Sequence, residues 1–135
     1  MTKPVAIVTG GSRGVGAEVS LLLAKKGWNL AITCSSSMDA AKEICQDCET
    51  HGAETIVIQA DVSQPDLCAK TVKDTIDEFG KLDALINNAG TTKFNAHDNL
   101  EGLSKDDFLG LYAINTVGPY MMIKESREYL AKSDN

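Results

Sequence analysis

Long apolar runs are missing from this sequence. The longest apolar stretches, such as Val5–Val8, stop far short of the roughly 20 residues that a membrane-spanning helix needs. Export features are missing too: Met1 is followed within four residues by a strand-like run, without the basic flank, long apolar stretch and small-residue cleavage site of a signal peptide. A cytosolic (cytoplasmic) setting is therefore the default expectation. Cationic charge is in short supply, with 13 Lys and Arg against 19 Asp and Glu and a net charge of −6. Nucleic acid and anionic membranes bind clustered Lys and Arg, so neither is an expected partner. Metal ligands are sparse as well. Cys45, Cys48 and His51 fall at steps of three on a predicted helix, but supply three ligands and no second pair to close a tetrahedral zinc site. No metal is expected, and the four cysteines read as reduced thiols at buried or half-buried positions.

What is present has the make-up of one globular domain: 135 residues, 43% hydrophobic and 24% charged. Val5–Val8 is a short continuous apolar run ended by Gly10-Gly11, which suits a strand buried on both faces of a parallel sheet. Val15, Val19, Leu22 and Leu23 then recur at helical spacing, and Gly27 stands where a helix C-terminal glycine belongs. Asn29–Cys34 reads as a second strand, and Ser37 caps a helix that ends at Gly52. Residues 55–60 form strand three. Ser63, with Pro65 tolerated in the first turn, opens a helix that runs to Gly80, and residues 82–87 form strand four. A polar connection over 91–102 leads to Ser104 and Asp107, a capping-box-like start to a long helix reaching about Lys132. Strands separated by helices of this length imply right-handed β-α-β crossovers and a doubly wound parallel α/β sheet.

The first strand-to-helix turn reads Thr9-Gly10-Gly11-Ser12-Arg13-Gly14-Val15-Gly16. Glycines there permit positive φ and let the backbone approach a ligand, while free N–H groups and the helix dipole favour phosphate. A glycine-rich turn alone can be only a tight turn; the strand before it and the amphipathic helix after it point to a dinucleotide pyrophosphate.

With that glycine spacing, the chain resembles the short-chain dehydrogenase/reductase family in its single-domain branch. Asn87-Asn88-Ala89-Gly90 after strand four is similar to the family's N-N-A-G, and Asp61-Val62 after strand three to its adenine-binding D-V pair. Asn115 matches the asparagine of the family's catalytic tetrad. The resemblance implies a Rossmann fold over residues 1–135, with Asn88, Ala89 and Gly90 on the nicotinamide-ribose side and Asp61 and Val62 on the adenine side.

Charge predicts which cofactor is bound. An acid after strand two binds the 2′-hydroxyl of NAD and repels the 2′-phosphate of NADP. Here that stretch is Cys34-Ser35-Ser36-Ser37, with Asp39 expected inside the next helix. Arg13 can pair with a 2′-phosphate while Ser35 and Ser36 donate hydrogen bonds to it, which favours NADP(H) over NAD(H). The alternative is that Arg13 is a solvated surface arginine and the serines merely begin a helix.

Pro119 lies four residues after Asn115 and lacks an N–H, so the helical bond to the Asn115 carbonyl cannot form and a kink is expected. The resemblance implies that this carbonyl holds a water in a proton relay; the same bend would also serve only to fit the helix to the sheet.

The family's catalytic serine, tyrosine and lysine lie on later segments that have no counterpart in these residues. A Tyr-x-x-x-Lys spacing does occur at Tyr120 and Lys124, but it shares a helix with Asn115 and no fifth strand or serine precedes it. Tyr120 reads as a packing aromatic and Lys124 as a solvated charge. The 135 residues are accordingly expected to be incomplete at the C-terminus, inactive alone and poorly soluble through an open edge at strand four. The expected activity, when complete, is hydride transfer between NADP(H) and a small-molecule carbonyl or alcohol; the alternative is a non-catalytic or truncated dinucleotide-binding module. The long helix carries apolar residues around much of its circumference, Phe108, Tyr112, Tyr120 and Ile123 among them, which predicts a homodimer or homotetramer through that helix.

Overall fold

The continuous apolar run over Val5–Val8 becomes a strand with neither face open to water. In a computed structural model, which describes residues 2–134, four strands are paired in parallel: β1 (Val5–Val8), β2 (Asn29–Cys34), β3 (Thr55–Gln59) and β4 (Ala84–Ile86). Their order is β3-β2-β1-β4, so the chain crosses back over β2 and β1 between β3 and β4. In β1 all four residues are buried, and so are all six in β2. Their side chains alternate between two cores. Ile7 and Ala31 face a cluster with Val72 of helix α3 (Pro65–Phe79) and Met122 of helix α5 (Gly118–Leu130). Ala6, Val8, Leu30 and Ile32 face Ala24 of α1 (Gly14–Lys25) and Cys45 and Cys48 of α2 (Met38–Thr50). Fully burying one such Ile or Leu contributes about 1.5–3 kcal/mol, and these side chains fasten the helices to opposite faces of the sheet.

The helix ends follow the glycines: Gly27, Gly52 and Gly80 all have positive φ just beyond α1, α2 and α3. At the N-terminal end of the sheet, the Asp83 carboxylate ties three segments together. It accepts the Val5 N–H at 2.8 Å and the Ser133 hydroxyl at 2.6 Å, and it pairs with Lys81 at 3.0 Å.

Three elements depart from the sequence reading, the first being strand four, which is expected over 82–87 and spans only Ala84–Ile86. Helix α3 begins at Pro65 with Gln64 in the cap position, not at Ser63. The Ser63 hydroxyl donates instead to Asp61, whose carboxylate is the stronger acceptor nearby. The single long helix expected after Ser104 is two α-helices, α4 (Lys105–Tyr112) and α5, joined by a wider π-helical turn over Ala113–Val117. In that turn the Gly118 N–H reaches back five residues to the Ala113 carbonyl. The widening comes just ahead of Pro119, whose missing N–H leaves the Asn115 carbonyl without its helical donor. The start of α4 is as expected, a capping box in which Ser104 and Asp107 satisfy each other's backbone N–H.

Candidate nucleotide-binding site

The glycine turn is held from both sides by buried threonines. The Thr9 hydroxyl accepts the N–H groups of Asn88 (3.1 Å) and Ala89 (3.0 Å) and donates to the Ile86 carbonyl (3.3 Å). Asn88 answers with its side-chain amide, which donates to the carbonyls of Thr9 (3.1 Å) and Gly10 (3.0 Å). The turns after β1 and β4 are thereby stitched into one surface. On the β2 side, the Thr33 hydroxyl accepts the Gly10 N–H at 3.2 Å and the Thr33 carbonyl accepts the Gly11 N–H at 3.1 Å.

Glycine is needed here for two separate reasons. Gly10 and Gly14 have φ of +60° and +50°, a left-handed conformation that side chains disfavour. Gly16 is needed for closeness: a Cβ there would lie 2.4 Å from the Gly10 carbonyl oxygen and 2.5 Å from the Asn88 amide nitrogen.

Above the C-terminal ends of the strands this surface opens into a cleft of about 280 Å³, the position where open α/β sheets bind ligands. Of the residues singled out from the sequence, Gly10, Arg13, Ser35, Asp61, Val62, Asn88, Ala89 and Gly90 line it. Gly11 and Gly16 are buried beneath the turn, Ser12 is half-buried, and Gly14, Val15 and Ser36 are exposed outside the lining. Thr33 and Ala60 line the cleft and were missed. The usable signal was their place, at or just past the C-terminal ends of β2 and β3.

The electrostatics suit an anion at the β1–β2 end. Arg13 caps α1 without a side-chain bond, and no acid stands in that helix's first turn, so its N–H groups and positive dipole end are left for a ligand. Burial pushes the Cys34 thiol up, opposed by the Arg13 charge, so the guanidinium's field reaches the end of β2. Asp39 lies in the first turn of α2, exposed and outside the lining. The acid that does line the cleft, Asp61, is on the β3 side, where its carboxylate accepts the Ser63 N–H (2.9 Å) and hydroxyl (2.7 Å).

Asn115 sits next to the cleft without lining it. Its side-chain amide makes a two-bond clamp on Thr91, accepting the N–H and donating to the carbonyl, both at 2.8 Å. A Cβ on Gly90 would come 3.3 Å from the Asn115 Oδ1, so the π-helical turn lies against the end of the Asn88–Gly90 wall. One turn later, a Cβ on Gly118 would lie 2.8 Å from the Val62 side chain, which seats α5 on the turn after β3. Tyr120 and Lys124 belong to neither feature. Tyr120 is 62% exposed rather than packed, as had been expected of it, and Lys124 lines a separate groove between α3 and α5.

A cradle of backbone N–H groups, a free helix N-terminus and glycine where a Cβ would collide together fit a dinucleotide. Comparison with known proteins agrees, since residues 4–135 match the short chain dehydrogenase family. The chain belongs to that family. Among curated relatives of this short chain dehydrogenase chain, 3-oxoacyl-[acyl-carrier-protein] reductase FabG of Staphylococcus epidermidis is 35% identical over 127 residues, covering 90% of the chain and 52% of the relative. Versicolorin reductase stcU of Emericella nidulans is 31% identical over 126 residues, covering 93% and 47%. A short chain dehydrogenase from Burkholderia cenocepacia, solved in complex with NADP, superposes with a TM-score of 0.89 at 32% identity, covering 96% of the chain and 51% of that structure. The chain thus spans about half the length of the relatives it matches. Among the described residues no helix is long and apolar enough to cross a membrane.

Proposed function

We propose that this chain is the nucleotide-binding part of an NADP(H)-dependent oxidoreductase that moves a hydride between nicotinamide and a carbonyl or alcohol. The observation that carries the reading is the cleft, in which Gly10, Arg13 and Ser35 meet the Asn88–Gly90 wall over the strand ends. When bound, the cofactor supplies the hydride; the chain supplies binding and orientation. The glycine turn and the α1 N-terminus hold the pyrophosphate, with Gly11, Ser12, Gly14, Val15 and Gly16 shaping the backbone around it. Asp61 and Val62 flank the adenine, and Asn88, Ala89 and Gly90 flank the nicotinamide ribose.

Arg13 pairs with the 2′-phosphate, and Ser35, with Ser36 beyond it, adds hydrogen bonds. No carboxylate lines that end of the cleft to repel the phosphate. Asn115 acts through its main chain: its amide is clamped on Thr91, and the carbonyl, deprived of its helical donor by Pro119, holds a water for proton transfer. Phe108, Tyr112, Tyr120 and Ile123 are all more than half exposed along α4 and α5, and we assign that stripe to self-association with a second copy.

The test is a titration of the purified protein with NADPH and NADH. Tighter binding of NADPH by about tenfold or more, erased by Arg13→Ala, is the expected result for one lost charged pair. Equal or tighter binding of NADH refutes the NADP(H) assignment. Turnover of a ketone panel separates the two readings only in a protein that extends past residue 135, where binding without turnover favours the non-catalytic module.

A further inference from the structure

Thr33 is 1% exposed, yet it forms part of the cleft wall at the end of β2. Its hydroxyl oxygen is occupied as acceptor of the Gly10 N–H at 3.2 Å, and its carbonyl accepts the Gly11 N–H at 3.1 Å. A hydroxyl has one hydrogen of its own to give. A buried hydroxyl whose hydrogen finds no acceptor is destabilised, and Thr33 has a cleft on one side. Along the wall its companions are Ser35, Ala60, Asp61 and Val62, on the half of the cleft away from Asn88–Gly90.

We propose that Thr33 is a dinucleotide-binding residue: its hydroxyl bridges the Gly10 N–H and an oxygen on the adenosine half of the cofactor. This rests on reading the cleft as the dinucleotide site and adds a contact to it. The bridge couples turn and ligand, because the oxygen that positions Gly10 is the one whose hydrogen reaches the cofactor. Thr33 is thereby both an anchor of the phosphate-binding turn and a direct contact. Its effect is indifferent to the 2′ substituent that Arg13 would recognise.

Calorimetric titration of purified Thr33→Val and Thr33→Ser with NADPH, NADH and ADP-ribose tests this. Valine keeps the shape and removes the hydroxyl, while serine keeps the hydroxyl. The expected result is a loss of about tenfold for all three ligands in Thr33→Val, the size of one buried hydrogen bond left unmade, with affinity restored in Thr33→Ser. If Thr33→Val fails to fold, Thr33→Ala takes its place with the same expected loss. The proposal is overturned if the hydroxyl-free variant binds within about twofold of the parent, a factor too small for a lost buried bond. It is overturned too if serine fails to restore binding, or if NADPH weakens while ADP-ribose does not. Failure of the underlying reading has a separate signature, in which Gly16→Val leaves NADPH binding intact.

Discussion

Replacing Gly16 by alanine should do more harm than the same change at Gly14, two residues away in the same motif. At Gly16 the new Cβ would lie 2.4 Å from the Gly10 carbonyl oxygen, against an ordinary contact of about 3.4 Å, so that carbonyl must retreat by about 1 Å, the difference of the two. The Asn88 amide nitrogen, 2.5 Å from the same Cβ, donates to the Thr9 and Gly10 carbonyls and cannot keep both bonds. Overpacking costs about 1–3 kcal/mol and the two bonds about 0.5–1.5 kcal/mol each, or about 2–6 kcal/mol in all by addition. A Cβ at Gly14 meets nothing within 4 Å; the cost there is the left-handed backbone alone, about 1–2 kcal/mol. With a urea m-value near 2 kcal/mol/M, the Gly16→Ala midpoint should fall by about 1–3 M and that of Gly14→Ala by about 0.5–1 M. NADPH affinity should fall with the displaced turn in Gly16→Ala. Equal losses at the two positions, or a Gly16→Ala protein within about 0.5 kcal/mol of the parent, the range of an inert surface change, would refute the close-approach argument.

Other perturbations test other parts of the structure. Asp83→Ala should cost about 1–3 kcal/mol in denaturant unfolding, because a carboxylate with a 1% exposed side chain bridges the Val5 N–H, Lys81 and Ser133; a loss under about 0.5 kcal/mol would show the bridge to be dispensable. Asn115→Ala should speed hydrogen exchange at the Thr91 amide by up to about tenfold, the worth of one hydrogen bond, since Oδ1 accepts that N–H; unchanged exchange would contradict the clamp. Asp107 is lowered from the usual 3.8 to about 2, chiefly by the Lys93 ammonium and then by the Ser104 N–H. A depressed carboxylate stabilises the fold above its unfolded pKa, so this contribution is present above about pH 4 and disappears as pH falls towards 2. Asp107→Asn should flatten stability over that window at low salt, and an unaltered acid limb would count against the pairing.

The sheet and its helices were legible because their signals are local and redundant. Val5–Val8 is apolar throughout and emerges fully buried, and each of the first three helices ends at a glycine that takes positive φ. The glycine turn was legible for the same reason, a pattern of residue types at fixed spacing between a strand and a helix. Thr33 and Ala60 were not, because a threonine or alanine near a strand end has no distinctive pattern; their importance comes from the crossover that sets β2 and β3 beside the glycine turn. Ser36 and Val15 stand the other way, as neighbours of lining residues that themselves lie outside the cleft wall.

Asn115 shows how far residue type and position can carry a functional reading. From the sequence, Pro119 frees the Asn115 carbonyl, and the consequence was expected to be a kink. The structure resolves that kink into a π-helical turn, a feature often found at functional sites. It also commits both ends of the asparagine amide to Thr91. A side chain so engaged spends one acceptor and one donor on the backbone of a single residue, so it serves to fix where the β4 turn meets the helix. The clamp leaves the main-chain carbonyl, whose helical donor Pro119 removes, as a separate group. The choice of asparagine is explained by the need to pin Thr91, and the availability of the carbonyl by the proline four residues on.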